Sequence, residues 1–155
     1  MRIFFPFILS FGLAALSSSC WALVQHAITV HLTIAPPSHL TITIRNHEQR
    51  ATFNRDDGKF EDLDFPFTVS SDLSLETGYT LTLDDSQHQC DDGKDYTVSV
   101  QLDGTDMSKS DIATINSWGS GRTNSHVFRL LFPSDTSYLG RICSGSVTFS
   151  VAPTY

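Results

Sequence analysis

The chain has 155 residues and carries 17 acidic against 10 basic side chains, a formal charge of −7 with neutral histidines. That length is enough for one domain with a real hydrophobic core. The acidic balance argues against nucleic acid or an anionic bilayer as the main partner, because both bind clustered positive charge.

The first 22 residues have the pattern of a secretory signal. Met1-Arg2 supplies a short positive start, residues 3–16 form an apolar run, and small residues lead to Ala22, after which we predict cleavage. Cleavage before Cys20, as in a lipoprotein, is the alternative. The apolar run is short for a membrane span, so we expect an exported product with nine basic and seventeen acidic side chains, a formal charge of −8.

Two cysteines, Cys90 and Cys143, remain after cleavage. In an exported chain they are expected to form one disulfide rather than two free thiols. The bond closes a loop of about fifty residues and stabilises the fold by ~4 kcal/mol on the chain-entropy description.

Residues 26–35 show the most regular pattern in the chain. Alternate positions are large and aliphatic, which is the period of two of a half-buried β-strand. The apolar face consists of Ile28, Val30, Leu32 and Ile34. Burying each such side chain is worth ~1.5–3 kcal/mol, so this strand needs an apolar groove, in its own molecule or in a neighbour. Pro36-Pro37 ends it.

Further strands are predicted along the rest of the chain from alternation or from short apolar runs. They cover residues 40–44, 65–69, 79–83, 96–102, 127–132 and 143–151. Pro66 suggests that its strand lies at an edge or contains a bulge, because proline cannot donate to a ladder. Asp103-Gly104 suits a tight turn.

The intervening segments are predicted to be irregular. Residues 84–93 are expected to form a hydrophilic loop carrying Cys90, and residues 105–124 a long connection with a short helical turn near 111–115. About seven or eight short strands separated by turn signals, without a helical period, predict an all-β, immunoglobulin-like antiparallel β-sandwich.

The two ends of the chain together resemble the pilin subunits of chaperone-usher fimbriae. The segment AITVHLTIAP, residues 27–36, is similar to the N-terminal arm of colonisation-factor pilins, and SYLGRICSGSVTFSV, residues 137–151, is similar to the closing strand of many pilins. The inferred disulfide departs from colonisation-factor major pilins, which generally lack one. The resemblance implies three segments, namely a signal at 1–22, a donor arm at 23–37 and a pilin sandwich at 38–155.

The resemblance also implies an assembly mechanism. Pilin sandwiches lack a strand, and a periplasmic chaperone and then the arm of the next subunit, at the outer-membrane usher, complete them by strand addition. Ile28, Val30, Leu32 and Ile34 are then the donor side chains. Val147, Phe149 and Val151 line the acceptor groove of the same subunit. Neighbouring subunits, the chaperone, the usher and a host receptor or glycan are the expected partners.

No catalytic or metal-binding pattern stands out. The six histidines lack the spacing of zinc ligands, and the aspartates around Cys90 lack the spacing of a calcium loop, so an acidic solvated loop is the better interpretation. Gly119-Ser120-Gly121 is only part of a nucleophile elbow. We therefore predict no enzyme activity, no metal and no cofactor.

Trp118 and Arg122 form the one cluster in the middle of the chain that suggests binding. An exposed aromatic on a long loop can hold a receptor or a sugar, and the alternative is a tryptophan folded back over the core.

Two functions from different classes remain. One is a fimbrial subunit at the cell surface, and the other is a self-complete secreted sandwich whose first strand pairs within its own sheet and which binds a receptor or carbohydrate as a monomer.

Overall fold

The computed structural model describes residues 27–35, 39–134 and 141–155, with only Leu32 described at side-chain level in the first segment. The predicted signal, Pro36-Pro37 and the Tyr138-Leu-Gly approach to the last strand lie outside the described residues. The strands are β1 (Ala27–Ala35), β2 (Leu40–Ile44), β3 (Glu48–Asn54), β4 (Lys59–Phe60), β5 (Leu63–Ser71), β6 (Gly78–Cys90), β7 (Ser99–Leu102), β8 (Thr105–Met107), β9 (Ile112–Ile115), β10 (Thr123–Leu131) and β11 (Cys143–Thr154). A 3₁₀ turn covers Ser120–Arg122.

The strands form two sheets. One sheet has the order β4-β3-β1-β11-β6-β9, and the other has the order β2-β5-β10-β7-β8. Every described strand pair is antiparallel except β1 with β11, which is parallel. The predicted all-β sandwich is confirmed.

Alternating side chains of both sheets build the core. In β5, every second residue from Leu63 to Ser71 is buried, as expected for a strand with one face on the core. Phe128 of β10 and Phe149 of β11 stack with ring centroids 3.6 Å apart, and Phe67 stacks on Phe128 at 4.6 Å. Aromatic contact across the two sheets therefore holds the layers together.

The disulfide between Cys90 and Cys143 is confirmed. The two cysteines lie directly opposite each other in the β6–β11 ladder, and both are buried. The bond joins the last residue of β6 to the first residue of β11.

Three local predictions are wrong. Residues 84–90 are not a loop, because β6 continues through them to Cys90. Residues 112–115 form an edge strand, β9, rather than a helical turn. The strand that contains Pro66 is interior, since β5 lies between β2 and β10. Pro66 is tolerated there because β2 ends opposite Phe67, which leaves Pro66 paired only with Val127 of β10.

Candidate functional site

The candidate site is the position of β1 inside the six-stranded sheet. On one side β1 runs parallel to β11, from Ile28 opposite Cys143 to Ala35 opposite Ser150. On the other side it runs antiparallel to β3, from Ala27 opposite Thr52 to His31 opposite Glu48. The arm predicted for donation therefore occupies an interior place in the sheet of its own chain.

Leu32 shows how β1 contributes to the core. Its side chain is 4% exposed and belongs to the main hydrophobic cluster. Its backbone N–H donates to the carbonyl of His47, the residue before β3, at 2.7 Å. The side chains of Ile28, Val30 and Ile34 lie outside the described residues. Donation of these four residues to a neighbouring subunit stays a prediction.

The predicted acceptor wall lies on β11. Val147, Phe149 and Val151 are all buried, at 1%, 0% and 5% exposure. The ladder with β1 ends at Ser150, although β11 continues to Thr154. Their role as a groove for a foreign strand is not tested by the single chain and stays a prediction.

Removal of β1 would leave two open strand edges. The long ladder with β11 and the shorter one with β3 would each lose their partner, and each lost backbone hydrogen bond is worth ~1 kcal/mol net. The core beneath Leu32 would also meet water. Unpaired edges of this kind pair readily with another chain, so the slot between β3 and β11 is suited to one replacement strand.

Trp118 and Arg122, the predicted receptor contacts, are both engaged within the molecule. Trp118 lies against Tyr79 with ring centroids 4.8 Å apart, and its Nε1–H donates to the Glu76 carbonyl at 3.1 Å. Arg122 lies over the Trp118 ring, 5.2 Å from its centroid, and also donates to the Glu76 carbonyl, at 3.0 Å. The tryptophan is therefore half-buried and folded back over the core. Receptor contact through these residues stays a prediction.

Glu76 is a buried carboxylate that sequence reasoning missed. It is 2% exposed, and it accepts a hydrogen bond from the Ser71 hydroxyl. His39 Nε2 lies 2.9 Å from Oε1, and Arg122 Nη2 lies 4.0 Å from Oε2. These neighbours offset the cost of burying a charge, and they tie the start of β2 to the β5–β6 connection.

His88 of β6 and His126 of β10 are buried within strands. His126 of β10 joins a relay in which Nε2 accepts from the Tyr79 hydroxyl and Nδ1 donates to Asp103 Oδ2 at 2.6 Å. This assignment uses the neutral imidazole, which has one donor and one acceptor. Burial raises the pKa of Tyr79 to about 12, and the nearby charge of Asp103 adds to the effect. The relay links the two sheets and runs from the buried Tyr79 and His126 to Asp103, whose side chain is 46% exposed in the turn after β7.

The predicted acidic segment around Cys90 is divided between β6 and the turn that follows. Lys109 donates to Asp85 at 3.1 Å and lowers the pKa of that carboxyl.

Among the described residues, no group of three His, Cys, Asp or Glu side chains is arranged to hold a metal ion. Ser120 lies in the 3₁₀ turn, without the strand-turn-helix setting of a nucleophile elbow. Over residues 27–35, 39–134 and 141–155, no helix is long and apolar enough to cross a bilayer.

Comparison with known proteins finds a structural likeness only. No protein-family model matches the chain, and no curated protein matches it. Among solved structures, the chain is similar to the CooA pilin subunit from enterotoxigenic Escherichia coli, with 11% identity and a TM-score of 0.46, over 74% of this chain and 98% of that one.

Proposed function

We propose that the chain is a structural and adhesive subunit of a bacterial surface fimbria. In this proposal the subunit polymerises by exchange of β1 between neighbours, after export through the periplasm with the help of a chaperone and an outer-membrane usher. The observation that carries it is the placement of β1, a single strand at the start of the described chain that fills a slot between β3 and β11. The disulfide suits an extracytoplasmic address.

The direction of β1 provides a driving force for exchange. Parallel ladders are slightly less stable per residue than antiparallel ones, and β1 pairs with β11 in parallel. A neighbour's arm that enters the slot antiparallel to β11 makes the eight pairs there antiparallel and the five pairs with β3 parallel, so the balance favours the incoming arm. Because the period of two is kept, such an arm still directs one apolar face to Val147 and Phe149.

The first test is expression of the full chain in the periplasm, alone and with a cognate chaperone. A fimbrial subunit is expected to aggregate or be degraded alone and to copurify with the chaperone. A chain that stays monomeric and intact in both cases contradicts the proposal.

The second test asks whether the slot accepts a foreign strand. A chain lacking residues 23–37 is mixed with a peptide of residues 27–36, and the same peptide with Leu32→Asp is the matched control. We expect the first peptide to bind and to raise the melting temperature, while the control does neither. Equal effects of the two peptides would show that the apolar face of the arm is not what the slot recognises.

The second candidate function is a self-complete secreted binding module. The observation that favours it is that β1 is already paired on both sides within its own chain. This candidate predicts a monomer that needs no chaperone and exchanges no strand. The first test therefore separates the candidates, whereas in the second test a self-complete sandwich lacking β1 would also rebind that strand as a peptide.

A further inference from the structure

A cavity of about 380 Å³ opens on the outer face of the five-stranded sheet, beside the end of β2. Its volume is within the range of small-molecule sites. The pairing of β2 with β5 stops at Ile44 opposite Phe67, so Pro66, the next residue of β5 in that direction, has no ladder partner on the β2 side. Over Pro66 the sheet is one strand narrower, and the cavity lies there.

The side chains that line the cavity lie on one face of three adjacent strands. Phe67 of β5 and His126 of β10 are buried, whereas the residues on either side of each are exposed or half-buried. Residues directly opposite each other in an antiparallel pair point to the same face of a sheet. The outward side chains at the cavity form two rows across the strands, one of Thr43, Thr68 and Ser125 and one of Arg45, Pro66 and Val127.

Arg45 is the charged group of the cavity. Its side chain is exposed, and no ion pair or hydrogen bond engages it within the described part of the chain. The carboxylates that flank its row are already engaged, because Asp64 accepts from Arg129 at 2.6 and 2.9 Å and Asp103 accepts from His126 at 2.6 Å. Arg45 is therefore available to an anionic ligand, and its planar guanidinium matches the two oxygens of a carboxylate.

The hydroxyl row is also available. The side chains of Thr43, Thr68 and Ser125 make no hydrogen bond to any other described residue. One row further along the sheet, by contrast, the hydroxyls of Ser70 and Thr123 donate to backbone carbonyls at 3.4 and 3.3 Å. A hydroxyl both donates and accepts, so the row at the cavity suits a ligand that carries its own hydroxyl groups.

Pro66 and Val127 form an apolar step between Arg45 and the rest of the sheet. They lie directly opposite each other in the β5–β10 ladder. Beneath them the rings of Phe67 and His126 lie against each other with centroids 5.3 Å apart. The step thus rests on a packed layer, and β5 is paired on both sides of the cavity. Such a preorganised surface lowers the entropy cost of binding.

We infer that this cavity is a binding site for a small acidic sugar. The ligand's carboxylate pairs with Arg45, its hydroxyls meet Thr43, Thr68 and Ser125, and its C–H groups lie on the apolar step. Inorganic phosphate leaves the step unused, and a neutral sugar leaves Arg45 unused. Because β1 belongs to the other sheet, the inference is independent of strand exchange and holds for either candidate function.

Chemical-shift titration of the full, isotope-labelled chain, purified after export, tests this inference. Glucuronic acid and N-acetylneuraminic acid are the acidic probes. Glucose is the matched neutral control, since it differs from glucuronic acid in the carboxylate alone, and inorganic phosphate is the anionic control. We expect saturable binding of at least one acidic sugar, tighter than that of either control. Binding of neither acidic sugar at millimolar concentration, or equally tight binding of glucose or phosphate, would overturn the inference.

Two exposed arginines give a matched pair of variants. Arg45 lines the cavity, whereas Arg50 of β3 lies in the other sheet and is likewise unpaired within the described segments. Arg45→Gln is expected to weaken binding of the acidic sugar about tenfold or more, through loss of charged hydrogen bonds, while Arg50→Gln leaves the affinity unchanged. Equal affinity in the two variants would place the sugar elsewhere and overturn the inference.

A second pair of variants blocks the site without touching the core. Thr43 of β2 and Thr114 of β9 are both exposed and both lie in edge strands, but only Thr43 lines the cavity. Thr43→Trp is expected to abolish binding of the acidic sugar and Thr114→Trp to preserve it, with both melting temperatures recorded to show that the fold is intact. Unimpaired binding in a folded Thr43→Trp protein would also overturn the inference.

Discussion

Leu32 of β1 lies opposite Val147 of β11 in a parallel ladder, and both side chains are buried. The arm and the last strand, more than a hundred residues apart in the chain, thus share one part of the core. Any function that moves β1 must replace the contact that Leu32 makes there.

The first prediction concerns that contact. Leu32→Ala should lower the free energy of unfolding of the single chain by ~2–5 kcal/mol, because it removes buried methyl groups and leaves a cavity. Urea denaturation measures it. Leu75→Ala is the control, since Leu75 is 81% exposed and its loss should change stability by no more than about 0.5 kcal/mol. Equal effects of the two changes would mean that β1 is not part of the core in solution.

The second prediction concerns the disulfide. Replacing Cys90 and Cys143 with alanine should lower the free energy of unfolding by about 4 kcal/mol, because the bond closes a loop of about fifty residues and restricts the unfolded chain. Denaturation with and without reductant measures the effect. Reductant should destabilise the natural chain and leave the double variant unchanged. A natural chain that is indifferent to reductant would show that the bond does not form.

The third prediction concerns pH. The pKa of His88 is lowered to about 4 in the fold, below its ordinary value of about 6.5. Between these values the unfolded chain binds the extra proton, so this group's contribution to stability is present above about pH 6.5 and is lost as the pH falls towards 4, by no more than ~3 kcal/mol. Unfolding by urea from pH 7 to pH 4 measures it.

His88→Gln is the comparison for the pH series, because glutamine does not titrate. The variant should lose less stability than the natural chain over that range, with the remaining change due to the other titratable groups that both proteins share. Parallel pH profiles for the two proteins would contradict a depressed pKa at His88.

The fourth prediction concerns the buried carboxylate. Arg122→Ala should cost about 1–3 kcal/mol, because it removes a cationic neighbour and a donor from Glu76. The cost should shrink in a Glu76→Gln background, where no charge needs an offset. Arg129→Ala is the matched control. Its pair with Asp64 is half-exposed, so its loss should cost less than the loss of Arg122, because solvent screens exposed ion pairs. A cost for Arg122 that is independent of residue 76 would rule out electrostatic coupling.

The strands with a clean period of two were the ones that the sequence could predict. Leu40, Ile42 and Ile44 alternate, and β2 has the predicted bounds. The Asp103-Gly104 turn was also predictable, because both residues have positive φ, at 50° and 83°, as a two-residue hairpin turn requires.

The sequence analysis predicted a loop in place of the second half of β6 for a specific reason. Phe149 pairs with Leu83 but Thr148 pairs with Asp85, so Asp84 is an extra residue in the strand. This bulge shifts the inward face from Tyr79, Leu81 and Leu83 to His88 and Cys90. A pattern search that assumes one constant period therefore sees a polar loop where the strand continues. The buried His88 was missed with it.

By itself the sequence determined the all-β class, the alternating arm and the disulfide, because side-chain period and export context are local or compositional properties. Only the tertiary structure decided where the arm lies and which buried polar groups meet. Those facts depend on strand order and register, which arise from pairings between residues distant in the chain and leave no local pattern.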